Sequence, residues 1–378
     1  MRLSRDLILT TVGIVFYGVS IGIAMSIFNN FLHDTYAINA QARGRLELPR
    51  ELPGFLSIFL ASALFFLTDK WKAAAAAIVA AVGQFLTVSA GNYYLMVLCL
   101  MIWSVGDHLY FPTKSALVLS CCSEKTQGKV LGATGGFEVL GIIIGGLITR
   151  YLVWIDAGYF VLFSVSAIAN LAAGFIFSSL PITPKRPRQQ VRLLLKKRYK
   201  LYYILEFLFG ARKQIFLTFG PWVLIQVFHC EVKTFAILTV VGHIMAFGAR
   251  PLAGYWIDKL GERLILMIDG FLLIFVCLGY AFAHQIPYAN LALALALGCY
   301  LMDMTLFFID IARTSYLAKT IEDRNNLSSC LTAGVSVNHI ASMSIPFFAG
   351  SLWAAMGHEI LFIGAAVLAC FIVVAAAQ

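Results

Sequence analysis

Charge is scarce in this chain. Only 12% of its 378 residues are Asp, Glu, Lys or Arg, whereas a soluble domain carries about 25%. With 60% hydrophobic residues and a mean hydropathy of +0.85, that scarcity excludes an ordinary water-soluble fold. Other absences narrow the chemistry. The phosphate-cradling pattern G-x-x-x-x-G-K-[ST] does not occur, and no HxxxD, HExxH or GxSxG arrangement stands on a plausible loop, which argues against nucleotide hydrolysis and against a membrane acyltransferase or protease. No CxxC or other metal-ligand spacing exists among Cys99, Cys121, Cys122, Cys230, Cys277, Cys299, Cys330 and Cys370. These cysteines are expected to be small apolar packing groups, and no metal or cofactor is expected. The apolar stretch Leu7 to Leu32 lacks a small-residue cleavage site and is too long for a signal-peptide core, so it is expected to be retained as a first span.

What the chain does have is long, continuous apolar runs. A helix needs ~20 apolar residues to cross the hydrocarbon core, and continuous rather than alternating hydrophobicity favours helices over a barrel. Twelve spans are expected, at about 7–32, 52–68, 73–90, 93–121, 130–152, 157–180, 201–228, 234–257, 264–283, 288–316, 328–350 and 358–377. The one long polar run, Pro181 to Lys200, holds eight basic residues and no acid. It divides the chain into an N-terminal six-helix bundle (1–180), a basic linker (181–200) and a C-terminal six-helix bundle (201–378). The net charge of +9 is therefore a topology signal rather than a nucleic-acid site. On the side of the termini lie eighteen Lys and Arg; only Arg43, Arg45, Arg50, Arg150 and Lys233 lie opposite. By the positive-inside rule both termini and the linker are expected in the cytoplasm, with the protein in the plasma (bacterial inner) membrane.

The least apolar opposite-side segment, His33 to Glu51, is expected to be a solvated loop, with a short amphipathic helix over the outer mouth as the alternative. The halves echo each other. Asp69-Lys70 corresponds to Asp258-Lys259, Asp107 to Asp303, and Glu124-Lys125 to Glu322-Asp323, at similar offsets. Together with the equal span count, this indicates a duplicated six-helix unit.

The loop after span 8, Gly254 to Arg263 (GYWIDKLGER), resembles the signature of the major facilitator superfamily, G-x-x-x-D-[RK]-x-G-x-[RK]. Gly254, Asp258, Lys259, Gly261 and Arg263 all fit. The first-half counterpart keeps Asp69 and Lys70 but has Phe65 and Lys72 where the family favours glycine. In span 5, Gly141, Gly145 and Gly146 follow the family's antiporter element G-P-x-x-G-G, with Ile142 in place of the proline. The resemblance implies an all-α membrane protein of two pseudo-symmetric six-helix bundles. It also implies a conformational latch at Asp69, Lys70, Gly254, Asp258, Lys259, Gly261 and Arg263, and a central cavity lined by spans 1, 4, 7 and 10.

A charge at mid-membrane costs ~2.5–3.5 kcal/mol on the insertion scale, so each such group needs a partner, water or a role. Counting from the span ends places Asp107 and His108 at the middle of span 4. Arg212, Lys213 and Gln214 fall at similar depth in span 7, as does Asp303 in span 10, with Asp310 and Arg313 nearer the cytoplasm. Asp107 and Lys114, like Asp303 and Asp310, are seven apart and share a helix face, and Arg313 follows Asp310 at i+3. One expectation is an acidic wall from spans 4 and 10 facing a basic wall from span 7. The other is ion pairing of Asp107 or Asp303 with Arg212 or Lys213. Glu138 in span 5 and Asn338 with His339 in span 11 form a second set suited to carrying a proton. Glu206 and Asp269 are given no site role.

The expectation is thus a monomeric secondary transporter, not an enzyme, moving a small organic solute with an anionic part by alternating access. Protons would be coupled to it and lipids would surround it. Within the fold the alternatives are an uncoupled facilitator and a proton-driven multidrug or lipid exporter. From another class the alternative is a polytopic membrane enzyme.

Overall fold

The structure, a computed structural model, describes residues 5–56, 59, 64, 66–122, 126–181, 196–321 and 327–378, without the side chains of residues 250, 308, 310 and 328. Among the described residues every regular element is a helix. They are α1 (Arg5–Tyr36), α2 (Ala40–Phe55), α3 (Asp69–Ser89), α4 (Tyr93–Ser120), α5 (Gln127–Trp154), α6 (Tyr159–Ser178), α7 (Lys200–Gln226), α8 (Val232–Leu260), α9 (Glu262–Phe282), α10 (Ala289–Thr320), α11 (Leu327–Met356) and α12 (His358–Ala376). The tenth tightens to a 3-10 turn at Phe307–Asp310. Nine of these helices, all but α2, α7 and α11, are long and apolar enough to cross a membrane.

The starts and stops follow local chemistry. Asn92 caps α4, its side chain accepting from the backbone N–H of Leu95 at 3.0 Å. Gly261, at φ +84°, separates α8 from α9, and Gly357, at φ +92°, separates α11 from α12. Both φ values lie where a side chain is strained, so glycine sets these corners.

The helices gather into two compact units. The first comprises Met1–Tyr36, Leu52–Pro187 and Glu231–His243, and the second Ala37–Glu51, Arg188–Cys230 and Ile244–Gln378. Relative to the sequence halves, the start of α2 belongs to the second unit and the start of α8 to the first. Most of the basic linker, residues 182–195, lies outside the described residues, as do Glu124-Lys125 and Glu322-Asp323.

In the first unit, α1 and α5 meet backbone to backbone. A Cβ at Gly18 or Gly22 would collide with the carbonyl oxygens of Glu138 or Ile142, and one at Gly141 or Gly145 with those of Val15 or Val19. Gly146 faces Ala236 and Val240 of α8 instead. These span-5 glycines therefore serve close helix packing. The alanines of α3 (Ala73, Ala76, Ala77, Ala80) are fully buried, and the backbone of Ala76 and Ala80 lies close to Gly106 of α4. In the second unit, Tyr280 of α9 stacks on Phe362 of α12 at 4.8 Å, and Gly210 of α7 lies against the backbone of Asn338 in α11. Cys99, Cys230, Cys277, Cys299 and Cys330 are buried, as expected of packing groups, whereas Cys370 is exposed.

The main correction concerns residues 33–51. Of the two expectations for this segment the solvated loop fails beyond Asn39 and the helix holds: α2 begins at Ala40, well before the expected span 2, and its start packs within the second unit. Gly44 and Gly350 abut, a Cβ at either colliding with the other helix's backbone at Pro346 or Ala40. Arg43 and Glu47 are 2% and 0% exposed. Arg43 and Arg50 are thus helix residues, not loop charges.

Candidate functional site

Polar side chains inside an apolar helix bundle must satisfy one another, and in the second unit they do so in a connected series. From α2, Glu47 pairs with Arg43 and with Arg50 at 2.6 Å, and its Oε2 accepts from Gln214 Nε2 at 2.7 Å. Glu51 pairs with Arg50 at 2.9 Å and lies 3.1 Å from His339 Nδ1. One turn of α7 presents Arg212, Lys213 and Gln214. Lys213 Nζ donates to Asn338 Oδ1 at 3.1 Å, and Asn338 Nδ2 donates to Glu206 Oε2 at 3.4 Å. Arg313 Nε donates to Glu206 Oε1 at 3.1 Å, its guanidinium lying 3.5 Å from the Phe209 ring centre.

Arg212 stands apart. Its Nη2 donates to Asp303 Oδ1 at 2.8 Å, and Phe209 and Phe216 flank the guanidinium. Its Nε and Nη1 are buried and find no hydrogen-bond partner among the described residues, and neither does Oδ1 of the buried Asp269. A guanidinium holds five N–H donors in a fixed fork matched to carboxylate and phosphate. Here one edge of the fork is free to take an anionic oxygen.

In the first unit, Asp107 Oδ1 accepts from Tyr17 OH at 2.6 Å, and Tyr17 stacks on Tyr110 at 3.4 Å. Lys114 Nζ donates to both oxygens of Glu138 at 2.7 Å. His108 turns back on its own helix, Nδ1 lying 2.9 Å from the Ser104 carbonyl. A separate buried knot joins Ser20, Gln84, Ser166 and Asn170.

The sequence-derived residues therefore fall into groups. Arg212, Lys213, Gln214, Asp303, Arg313, Asn338 and His339 come together in the second unit, while Asp107, His108 and Glu138 lie in the first. The side chain of Asp310 lies outside the described residues. Three expectations change. The acidic and basic walls are not separate, because Asp303 and Arg212 touch. Glu138, expected in a second set with Asn338 and His339, pairs with Lys114 of its own unit. Glu206, given no role, links Arg313 to Asn338. Glu47 and Glu51 were also missed. Their signal was present as Arg43, Glu47, Arg50 and Glu51 at helical spacing beside Gly44, masked by the segment's low hydropathy.

At the loop after α8, Asp258 and Lys259 are exposed, and Lys259 lies over Tyr255 and Trp256. Asp258 has no ion-pair partner among the described residues, and a Cβ on Gly254 would point into open space. At the start of α9, Glu262 accepts from Ser315 Oγ and pairs with Lys319 of α10, each at 2.5 Å. Arg263 donates to the carbonyl of Ala377. In the first half, Lys70 Nζ donates to the Leu180 carbonyl at 2.7 Å, and Asp69 lies 3.9 Å from Lys72.

Comparison with known proteins bears on this arrangement. Residues 52–337 match the model of the Major Facilitator Superfamily. No curated protein matches the chain by sequence. Among solved structures the chain is similar to a mutant of the nucleoside transporter NupG (TM-score 0.82, 14% identity, 98% of this chain and 99% of that one). It is also similar to a bacterial homologue of the human lysosomal transporter Spinster, inward-facing and unoccupied (0.68, 12%, 99% and 95%). A third is a D-xylose-proton symporter (0.71, 15%, 97% and 96%). At such identities these likenesses establish the fold.

Proposed function

The chain belongs to the major facilitator superfamily, an integral membrane transporter rather than an enzyme, and on that footing we propose that it carries a small anionic organic solute together with a proton by alternating access. The observation that carries this reading is Arg212, buried, held by Asp303 through one nitrogen and with two further nitrogens unpartnered among the described residues.

Charge balance supports coupling. Within the polar network of the second unit, Arg212, Lys213 and Arg313 are matched in number by Glu206, Asp269 and Asp303, and Arg43 and Arg50 of α2 by Glu47 and Glu51. An anion entering a balanced, water-poor site leaves excess negative charge, which is costly in low dielectric. Protonation of Asp303 restores the balance and releases Arg212 to the solute. Proton and anion thus favour each other's binding, and this reciprocal coupling is what a symporter requires.

The protein works as a monomer in the plasma membrane, with both termini in the cytoplasm and the Glu262–Lys319 bridge and Arg263 contact helping to hold one conformation.

The test is uptake into proteoliposomes across a panel of organic acids, phosphorylated compounds, nucleosides and D-xylose, with and without an inward proton gradient. Uptake of an anionic solute accelerated by the gradient is the expected result. Arg212→Ala abolishes it, whereas Asp303→Asn still exchanges solute but ignores the gradient. Uptake of only neutral solutes, or indifference of the wild type to pH, overturns the proposal.

A further inference from the structure

Away from this network, one end of the second unit brings together two histidines and a carboxylate. Helices α9 and α12 run antiparallel. Arg263 reaches Ala377 at one end, Tyr280 stacks on Phe362 along the way, and at the other end the 3-10 turn Ala283–Gln285 after α9 meets the first turn of α12. There His284 Nε2 lies 3.2 Å from Glu359 Oε1 and His358 Nδ1 lies 3.4 Å from Glu359 Oε2. The two rings stand 4.8 Å apart, edge to face, and one ligand atom from each of the three residues falls within 4.8 Å of the other two.

We propose that His284, His358 and Glu359 form a binding site for a divalent transition metal ion of the zinc type, which clips the end of α9 to the start of α12. Two imidazoles and a carboxylate are the donor set of open zinc sites, in which water fills the remaining position. The spacing suits it: ligands at ~2.0–2.1 Å around a tetrahedral ion stand about 3.3 Å from one another, close to the two observed separations.

The surroundings are arranged to suit such an ion. Gly357, at φ +92°, turns the chain into α12, and a Cβ there would come within 2.5 Å of Glu359 Oε2. The carboxylate thus occupies space that only glycine leaves open. His358 is 8% exposed and packs against the Trp353 ring at 5.7 Å, which fixes it. His284 and Glu359 keep 28% and 32% of their side chains accessible, leaving a path for an ion. The remaining ring nitrogens, His284 Nδ1 and His358 Nε2, are buried without a hydrogen-bond partner among the described residues. Either ring can therefore flip to present a lone pair to the ion without losing a bond at those atoms. Nitrogen and oxygen donors of this kind take zinc, cobalt, nickel and copper far better than magnesium or calcium.

The test uses tag-free, full-length protein in detergent, stripped with a chelator. Because an ion that binds the folded state raises its stability by mass action, zinc should raise the unfolding temperature where magnesium does not. Cobalt should give one equivalent of visible d–d absorption per chain. His284→Ala and Glu359→Gln should each weaken cobalt binding at least tenfold while leaving the metal-free unfolding temperature near that of the wild type. If His358→Ala fails to fold, these two more accessible positions still decide the matter. Absence of a cobalt spectrum in the wild type, or zinc stabilisation that survives both substitutions, overturns the site. Neither result bears on solute uptake, so it is separable from the transport reading.

Discussion

Gln214 of α7 donates to Glu47 of α2 across 2.7 Å, joining positions 167 residues apart. Glu47 is fully buried and also pairs with Arg43 and Arg50, one through each carboxylate oxygen. Removing one partner of a buried pair leaves an uncompensated charge, at a cost of ~3–5 kcal/mol. Glu47→Ala should therefore lower the unfolding temperature in detergent sharply, whereas Arg45→Ala, on an exposed position of the same helix, should barely move it. Equal effects would mean that α2 is held by its apolar and glycine contacts alone.

The pair Lys114–Glu138 invites a double-substitution cycle. Either Lys114→Met or Glu138→Gln alone strands a half-buried charge and should destabilise by about 1–3 kcal/mol. Both together should recover most of that loss, giving a coupling energy well above the ~0.5 kcal/mol expected of independent sites. Additive losses in chemical unfolding would show that the two groups act separately.

Glycine positions make contrasting predictions. Gly145→Val drives a side chain into the Val19 carbonyl and should cost at least the ~1–3 kcal/mol of overpacking. Gly254→Ala meets nothing and, as a helix-interior change, should stabilise by up to ~1 kcal/mol. Thermal unfolding of the two variants beside wild type distinguishes them, and a destabilised Gly254→Ala would place a close helix contact there in some other conformation.

At the α8–α9 corner, Glu262→Gln removes the bridge to Lys319, a largely exposed group, so stability should fall by no more than about 1 kcal/mol. If the contact helps to hold one conformation of the proposed transport cycle, uptake rate should change more than stability does. Asp258→Asn is expected to leave stability unchanged. A large stability loss at Asp258 with none at Glu262 would reverse the assignment.

How far the sequence went is clearest helix by helix. The expected spans 93–121 and 358–377 lie within a residue of α4 and α12, because hydrocarbon thickness dictates helix length and apolar composition marks it. The loop motif led to the family for a similar reason: glycine and charge at fixed offsets make a corner between two helices. Arg212 and Asp303 stand out in the sequence as ionisable groups within apolar runs, and they are in contact. Their contact was one of two open expectations.

Hydropathy failed at α2. Arg43, Glu47, Arg50 and Glu51 look like loop residues when averaged over a window, because the average cannot know that Glu47 and Glu51 meet the arginines of their own helix and Gln214 and His339 on α7 and α11. The same limit hid Glu206, whose partners Arg313 and Asn338 lie more than a hundred residues on, and Glu262, whose partners Ser315 and Lys319 lie on α10. Composition and hydropathy by themselves determined the membrane and the helices, since those depend on each residue's own transfer energy, and the motif from Gly254 to Arg263 carried the resemblance to the family. Which charges became partners, and which two nitrogens of Arg212 were left over, only the tertiary structure decided, because pairing energy depends on distances that no single stretch of chain contains.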